Sequence, residues 1–273
     1  MPHILFRDKK IFYRAEGAGK PVILLHGFAE DGNIWNHQIK SLSENYLVII
    51  PDLPGSGRSE MLDGRCTMED YAEVVKAIAD EAIFKNIPKA DLQFSLIGHS
   101  MGGYITLAFA EKYPDLLNSF GLFHSSAFPD DEAKKATRRK GIDFIQKNGS
   151  EAFLKTSVPN LFSEQTKKEN PWLVNQLLSM GKSIEPSALI QYYEAMIFRP
   201  DRTSVLETFS KPVLFVIGKY DDAVSLDISL RQCHLPYEAI MHILQHSGHI
   251  GMLEEDQLSS IYLTDFLKIA LIN

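Results

Sequence analysis

The sequence predicts an α/β fold: a mostly parallel central sheet with helices on both faces and a helical segment inserted late in the chain. Short, continuous apolar runs alternate with stretches of helical periodicity, the pattern of strands buried on both faces and joined by crossover helices. The sharpest local signal, Gly98-His99-Ser100-Met101-Gly102, falls between one such run and one such helix. The alternation stops near Ser125 and resumes at Pro212, an interval far too long for a structureless loop.

In chain order, Ile4–Arg7 and Ile11–Arg14 flank the polar Asp8-Lys9-Lys10 and read as an opening hairpin. Val22–Leu25 and Leu47–Ile50 are buried strands, with a short helix around Trp35–Leu42 between them. A turn-rich loop, Asp52-Leu53-Pro54-Gly55-Ser56-Gly57, leads to a helix over Thr67–Phe84. There Tyr71, Val74, Val75, Ile78 and Ala82 recur at helical spacing, and Thr67 is the candidate N-cap. Leu92–Ile97 is the next strand, Tyr104–Ala110 is helical, and Leu116–Phe123 is a further apolar run. The interruption is itself helical in character: Asp131–Gln146, Glu151–Phe162, Trp172–Gly181 and Ser187–Phe198, punctuated by Gly149, Pro159, Pro171 and Pro186. Val213–Ile217 and Ala239–Leu244 restore the strand pattern, and Leu258–Leu271 closes the chain as a helix. The expected organisation is a core of residues 1–124 and 210–273 carrying a helical cap of residues 125–209.

Composition permits this. The chain has 273 residues, 45% hydrophobic and 23% charged, so a sizeable core can be buried. A net charge of −7 supplies no average positive field for a nucleic-acid backbone or an anionic membrane. The basic run Lys134-Lys135 and Arg138-Arg139-Lys140 has helical spacing and reads as a solvated helix face. Cys66 and Cys233 lack both disulfide-framework and zinc-site spacing. Neither a leader-like segment nor an apolar run of membrane-spanning length is present, which makes the cytoplasm the expected compartment.

In a nucleophile elbow, a strained turn lifts its central side chain to the end of the sheet, and glycines two residues to either side relieve the crowding. Gly98 and Gly102 occupy those positions around Ser100. The same turn aims the Met101 amide at the reacting centre, and the start of the following helix favours negative charge there. A serine hydroxyl is a poor nucleophile at neutral pH, so a base and a group that orients the base must lie elsewhere in the chain.

On this elbow, the string GHSMGG at Gly98–Gly103 and the triplet His26-Gly27-Phe28 after a strand, the chain resembles the α/β-hydrolase family, and more narrowly its small cap-bearing serine esterases. The resemblance covers nearly the whole chain. It implies a second oxyanion-hole amide at Phe28 and the chain order nucleophile, acid, histidine. Gly218-Lys219-Tyr220-Asp221 then matches the family's acid motif, with Asp222 as the rival. Gly248-His249 matches its histidine, with His246 as the competitor. Ser225 and Asp256 stand where the family often has proline. The side chains of His26 and His99 read as structural.

The resemblance implies acyl transfer to water, needing neither metal nor organic cofactor, on a small apolar or aromatic substrate. His124, Phe162, Trp172, Tyr192 and Met196 are the candidate pocket residues, although large apolar residues at helical spacing usually pack a core. Similar proteins cleave carbon–carbon bonds or act as lyases with the same three residue types, and a non-catalytic receptor could retain them. Epoxide and haloalkane hydrolases of the family use an aspartate where this chain has Ser100.

Overall fold

A computed structural model describes residues 2–85 and 92–270. Leu271, the last residue of the expected closing helix, lies outside the described residues. The opening hairpin forms from β1 (His3–Phe6) and β2 (Lys9–Glu16), whose turn places Arg7 and Asp8 at φ 49° and 63°. Then follow β3 (Lys20–Leu25), a 3₁₀ turn at Gly32–Trp35, α1 (Asn36–Leu42) and β4 (Tyr46–Pro51). The helix α2 (Met68–Ala82) begins with a capping box in which the Thr67 hydroxyl accepts from the Asp70 amide and the Asp70 carboxylate accepts from the Thr67 amide. β5 (Phe94–His99), α3 (Met101–Lys112) and β6 (Leu117–Phe123) complete the first part of the sheet.

Between β6 and the next strand lie α4 (Glu132–Ser157), α5 (Glu164–Glu169), α6 (Pro171–Gly181), α7 (Pro186–Phe198) and α8 (Thr203–Thr208). Gly149, at φ 81°, interrupts α4 and divides it into the two pieces expected from the sequence. α5 and α8 span six residues each, too short for apolar periodicity to announce them. The chain then forms β7 (Val213–Gly218), α9 (Leu226–Gln232), β8 (Ala239–Leu244), α10 (Gly251–Glu254) and α11 (Asp256–Ile269). Ser225 caps α9 by accepting from the Ile228 amide, a role that proline at this position could not fill.

The eight strands lie in the order β1-β2-β4-β3-β5-β6-β7-β8, with the β1–β2 and β2–β4 pairs antiparallel and every pair from β4–β3 onward parallel. Around it α1 packs against α11 and α2 against α3. Phe94, Phe120, Phe123 and Phe215 fill the core together with Trp35, Phe109 and Phe266. β4 and β5 add to opposite sides of β3. In open α/β sheets, ligands bind at the carboxyl ends of the strands around such a reversal. Among the described residues, no helix is long and apolar enough to cross a membrane.

Candidate active site

Every group of the candidate site projects from the carboxyl end of a parallel strand. Ser100 follows β5 directly, with φ 50° and ψ −113°, a conformation that costs a non-glycine residue energy and persists only where its surroundings impose it. They do so tightly. A Cβ on Gly98 would sit 2.2 Å from the Gly102 carbonyl carbon, and one on Gly102 would sit 2.6 Å from the His26 carbonyl oxygen. The Ser100 amide donates to the Phe123 carbonyl at 2.9 Å, and the Ser125 hydroxyl donates to the Ser100 carbonyl at 2.7 Å.

His249, on the loop after β8, brings Nε2 to 2.8 Å from the Ser100 hydroxyl and Nδ1 to 2.8 Å from Asp221 Oδ2. The carboxylate accepts at Nδ1, so the ring proton belongs there and the Nε2 lone pair faces the hydroxyl. Asp221 follows β7 and is fully supplied with donors. The Ala223 and Val224 amides reach Oδ1 at 2.8 Å each, and His124 Nδ1 joins His249 at Oδ2, at 3.2 Å. Burial alone would raise its pKa. The charge of His249 and the hydrogen bonds from His124 and His249 outweigh burial and hold the carboxyl well below the usual carboxylate range. The neighbouring Asp222 is exposed, and so is His246, whose backbone amide rather than its ring is bonded.

Two further histidines frame this line. Burial pushes His124 down to about 4 despite Asp221, which keeps it neutral. Its Nε2 accepts the Gly251 amide at 3.2 Å, and its Nδ1 faces both Asp221 Oδ2 and the Gly218 amide, the latter at 3.1 Å. His99 faces acceptors on both sides, Glu30 Oε2 at 3.0 Å and the His249 carbonyl at 2.9 Å. Burial lowers its pKa, but Glu30 outweighs burial and the net shift is upward, so the pair is a buried imidazolium and carboxylate. Glu30 Oε2 also accepts the Gly27 amide at 2.7 Å. One ion pair thereby joins the segment carrying the Phe28 amide to the loop carrying His249.

Glu30 was not legible as a site residue in the sequence, and neither was Glu254. The latter accepts the Gly248 amide at Oε1 and the Ser163 amide at Oε2, both at 2.9 Å, while the His249 amide donates to the Leu161 carbonyl at 2.7 Å. The loop that carries His249 therefore rests on the helical insertion. The Phe28 and Met101 amides have no acceptor among the described residues. Met101 opens α3, where an amide has no partner within the helix. His26 accepts the Leu53 amide at Nε2 and plays the structural part expected of it.

Ser100 and His249 open into a cavity of about 500 Å³ lined also by Phe28, Glu30, Tyr104, Lys134, Arg138, Tyr193 and Met196. Of the five pocket candidates, Met196 alone lies on this wall. Phe162 lines a neighbouring cavity behind Asp221 and Asp222. Tyr192 is fully buried, its hydroxyl donating to the Pro54 carbonyl at 2.6 Å. Trp172 is 56% exposed on α6. His124 sits beneath the acid rather than at the pocket mouth. Periodicity told which residues were apolar but not which helix face turns toward the site. The basic run divides: Arg139 and Lys140 are exposed on the solvated face expected of them, whereas Lys134 and Arg138 line the cavity instead.

His124, Asp221 and His249 bring ligand-type atoms within 4.8 Å of one another. Both ring Nδ1 atoms are already committed to the same carboxylate oxygen, so the set is satisfied by hydrogen bonds.

A family model described as alpha/beta hydrolase fold matches residues 20–256. The chain is 24% identical over 271 residues to a pyrrolizixenacetamide deacetylase of Xenorhabdus hominickii, covering 95% of each. It is 26% identical to a 2-hydroxy-6-oxononadienedioate/2-hydroxy-6-oxononatrienedioate hydrolase of Paraburkholderia phymatum, covering 95% of this chain and 91% of that one. The solved structure of a thermophilic esterase from Thermogutta terrifontis superposes with a TM-score of 0.89 at 27% identity, over 96% of this chain and 94% of that one. With the family model spanning most of its length, this chain belongs to the alpha/beta hydrolase fold family, a family of hydrolases acting on small molecules.

Proposed function

We propose that the protein is a serine hydrolase that cleaves a small-molecule carboxylic ester, or a related acyl bond, through an acyl-enzyme intermediate. The observation that carries this reading is the unbroken line from the Ser100 hydroxyl through His249 to Asp221, with 2.8 Å at each step. As Ser100 Oγ attacks the carbonyl carbon, its proton passes to His249 Nε2, and Asp221 stabilises the imidazolium that forms. The Phe28 and Met101 amides receive the oxyanion, an arrangement in which a single donor is worth about 100- to 1000-fold in rate. Collapse expels the alcohol with the proton from His249. Water then repeats the sequence to release the acid and restore the serine. None of these steps needs a metal or an organic cofactor.

In this reading residues 125–209 act as a cap bounding the substrate pocket. The relatives' names, a deacetylase and an esterase among them, support acyl chemistry, whereas the dienedioate hydrolase keeps a carbon–carbon bond hydrolase on the same three residues as the second reading. A fluorophosphonate probe should label the wild type and not Ser100→Ala, and p-nitrophenyl esters of graded chain length should be turned over. Equal labelling of both proteins removes Ser100 from the mechanism. Labelling with no ester turned over, but with turnover of a vinylogous 1,5-diketone acid, favours the second reading.

A further inference from the structure

The pocket has two unequal walls, and the difference is one of unspent charge. On the β3 side Glu30 is fully engaged by His99 and the Gly27 amide. Asp222 stands exposed on the same cavity. On the α3–α4 side Asp130 is the counter-ion of two guanidiniums: Arg138 Nε at 2.5 Å and Arg199 Nη1 at 2.9 Å. All three side chains are largely buried, and one carboxylate cannot neutralise two cations.

Lys134 adds a third positive charge. Its ammonium donates to the Ala223 carbonyl at 2.7 Å and forms no ion pair among the described residues. Arg138 spends Nε and Nη2 on Asp130, and its Nη1 has no acceptor among the described residues. Between these cations lies Tyr104, with the Arg199 guanidinium 3.9 Å over its ring. Its ring is buried, yet its hydroxyl on the cavity has no hydrogen-bond partner among the described residues. Burial alone would raise the pKa of this phenol, but Arg199, Lys134 and Arg138 outweigh burial and lower it, as their positive potential at this wall requires.

Cations and donors withdrawn from water without a counter-charge are costly, and an incoming anion that supplies the missing acceptors recovers that cost. A cavity of about 500 Å³ leaves room for a small organic acid beyond the scissile bond. We propose that the substrate carries an ionised carboxylate remote from the bond cleaved, bound by Lys134, Arg138 and the Tyr104 hydroxyl. This rests on the ester-hydrolase reading and names its substrate class: a monoester of a small dicarboxylic acid, or an ester of a carboxylate-bearing alcohol.

Two isosteric pairs test it. Mono-p-nitrophenyl glutarate against its terminal amide places the charge on the acyl side. 4-Carboxyphenyl butanoate against 4-carbamoylphenyl butanoate places it on the alcohol side. In one pair the carboxylate should exceed the amide in kcat/KM by about tenfold or more at low ionic strength, with the advantage shrinking as salt screens it. The pair that shows the preference tells which side of the ester carries the charge. In Lys134→Gln and Tyr104→Phe the carboxylate member should lose about tenfold more than its amide twin, chiefly through KM. Equal or better turnover of the amide in both pairs, by an enzyme whose Ser100 is labelled by fluorophosphonate, overturns the carboxylate proposal and leaves the ester reading standing. If Ser100 is labelled but no ester is cleaved, the readout becomes protection from labelling by glutarate against glutaramide. Equal protection by the two overturns the proposal. An enzyme that neither labels nor cleaves defeats both readings together.

Discussion

At the carboxyl ends of β5 to β8, each ring nitrogen of His99, His124 and His249 faces a partner, and both oxygens of Asp221 are occupied. On the α3–α4 wall of the same cavity, the Tyr104 hydroxyl and Arg138 Nη1 face none among the described residues. The contrast separates two tasks. In the proposed mechanism the groups that move a proton are preorganised by the sheet before any ligand arrives, and this lets fixed dipoles act without reorganisation in the transition state. The groups proposed to recognise a ligand are the ones left without partners among the described residues.

The most severe test of the sheet-borne half is removal of its nucleophile or base. Ser100→Ala or His249→Ala should lower kcat for ester hydrolysis by about a millionfold, with the fold retained by circular dichroism. A loss below about tenfold would break the comparison, because the chemistry would then reside elsewhere. Asp221→Asn should cost about 10⁴-fold, since the amide no longer fixes the His249 tautomer.

Next comes the pH dependence of stability. His124 titrates near 4 in the folded protein and at 6.5 unfolded. Across that window the unfolded chain binds the additional proton, so stability rises with pH and is lost as pH falls from 6.5 toward 4, by on the order of 3 kcal/mol. Urea titrations at intervals across this range should show the slope, and His124→Asn should remove the larger part of it. Asparagine tolerates the φ of 49° at this position and can still donate to Asp221. The residual slope is shared by His242, which burial also lowers, and, at the acid end of the range, by glutamates such as Glu30, which His99 holds below its ordinary value against burial.

The smallest effect concerns the insertion. Trp172→Ala should leave stability within about 0.5 kcal/mol and kcat/KM within about twofold, as expected of an exposed side chain. A tenfold loss would place this tryptophan in recognition after all.

What the sequence displayed follows from how local each signal was. The strands were legible because burial on both faces produces unbroken apolar runs such as Val22–Leu25 and Val213–Ile217. The elbow was legible because its strain is relieved within five consecutive residues. Asp221 and His249 could be named only through resemblance, since nothing in Lys219-Tyr220-Asp221-Asp222 distinguishes one aspartate from the next. Their difference arises in three dimensions, where Asp221 is buried under two imidazoles and Asp222 stands in solvent. Glu30 was invisible because its meaning depends on His99, sixty-nine positions away. Phe162, Trp172 and Tyr192 show the same limit on the insertion, where residue type was read correctly and orientation was not.

The clamp formed by Leu161, Ser163 and Glu254 has a consequence for how substrate enters. Swinging the insertion outward as a rigid flap would strip the His249 amide of its acceptor and break Glu254 away from Ser163, so the loop that carries His249 would lose its seat. With this clamp intact, Ser100 is reached through the cavity as it stands, past the side chains that line it. The bonds that hold the insertion down are the ones that keep His249 in line with Ser100.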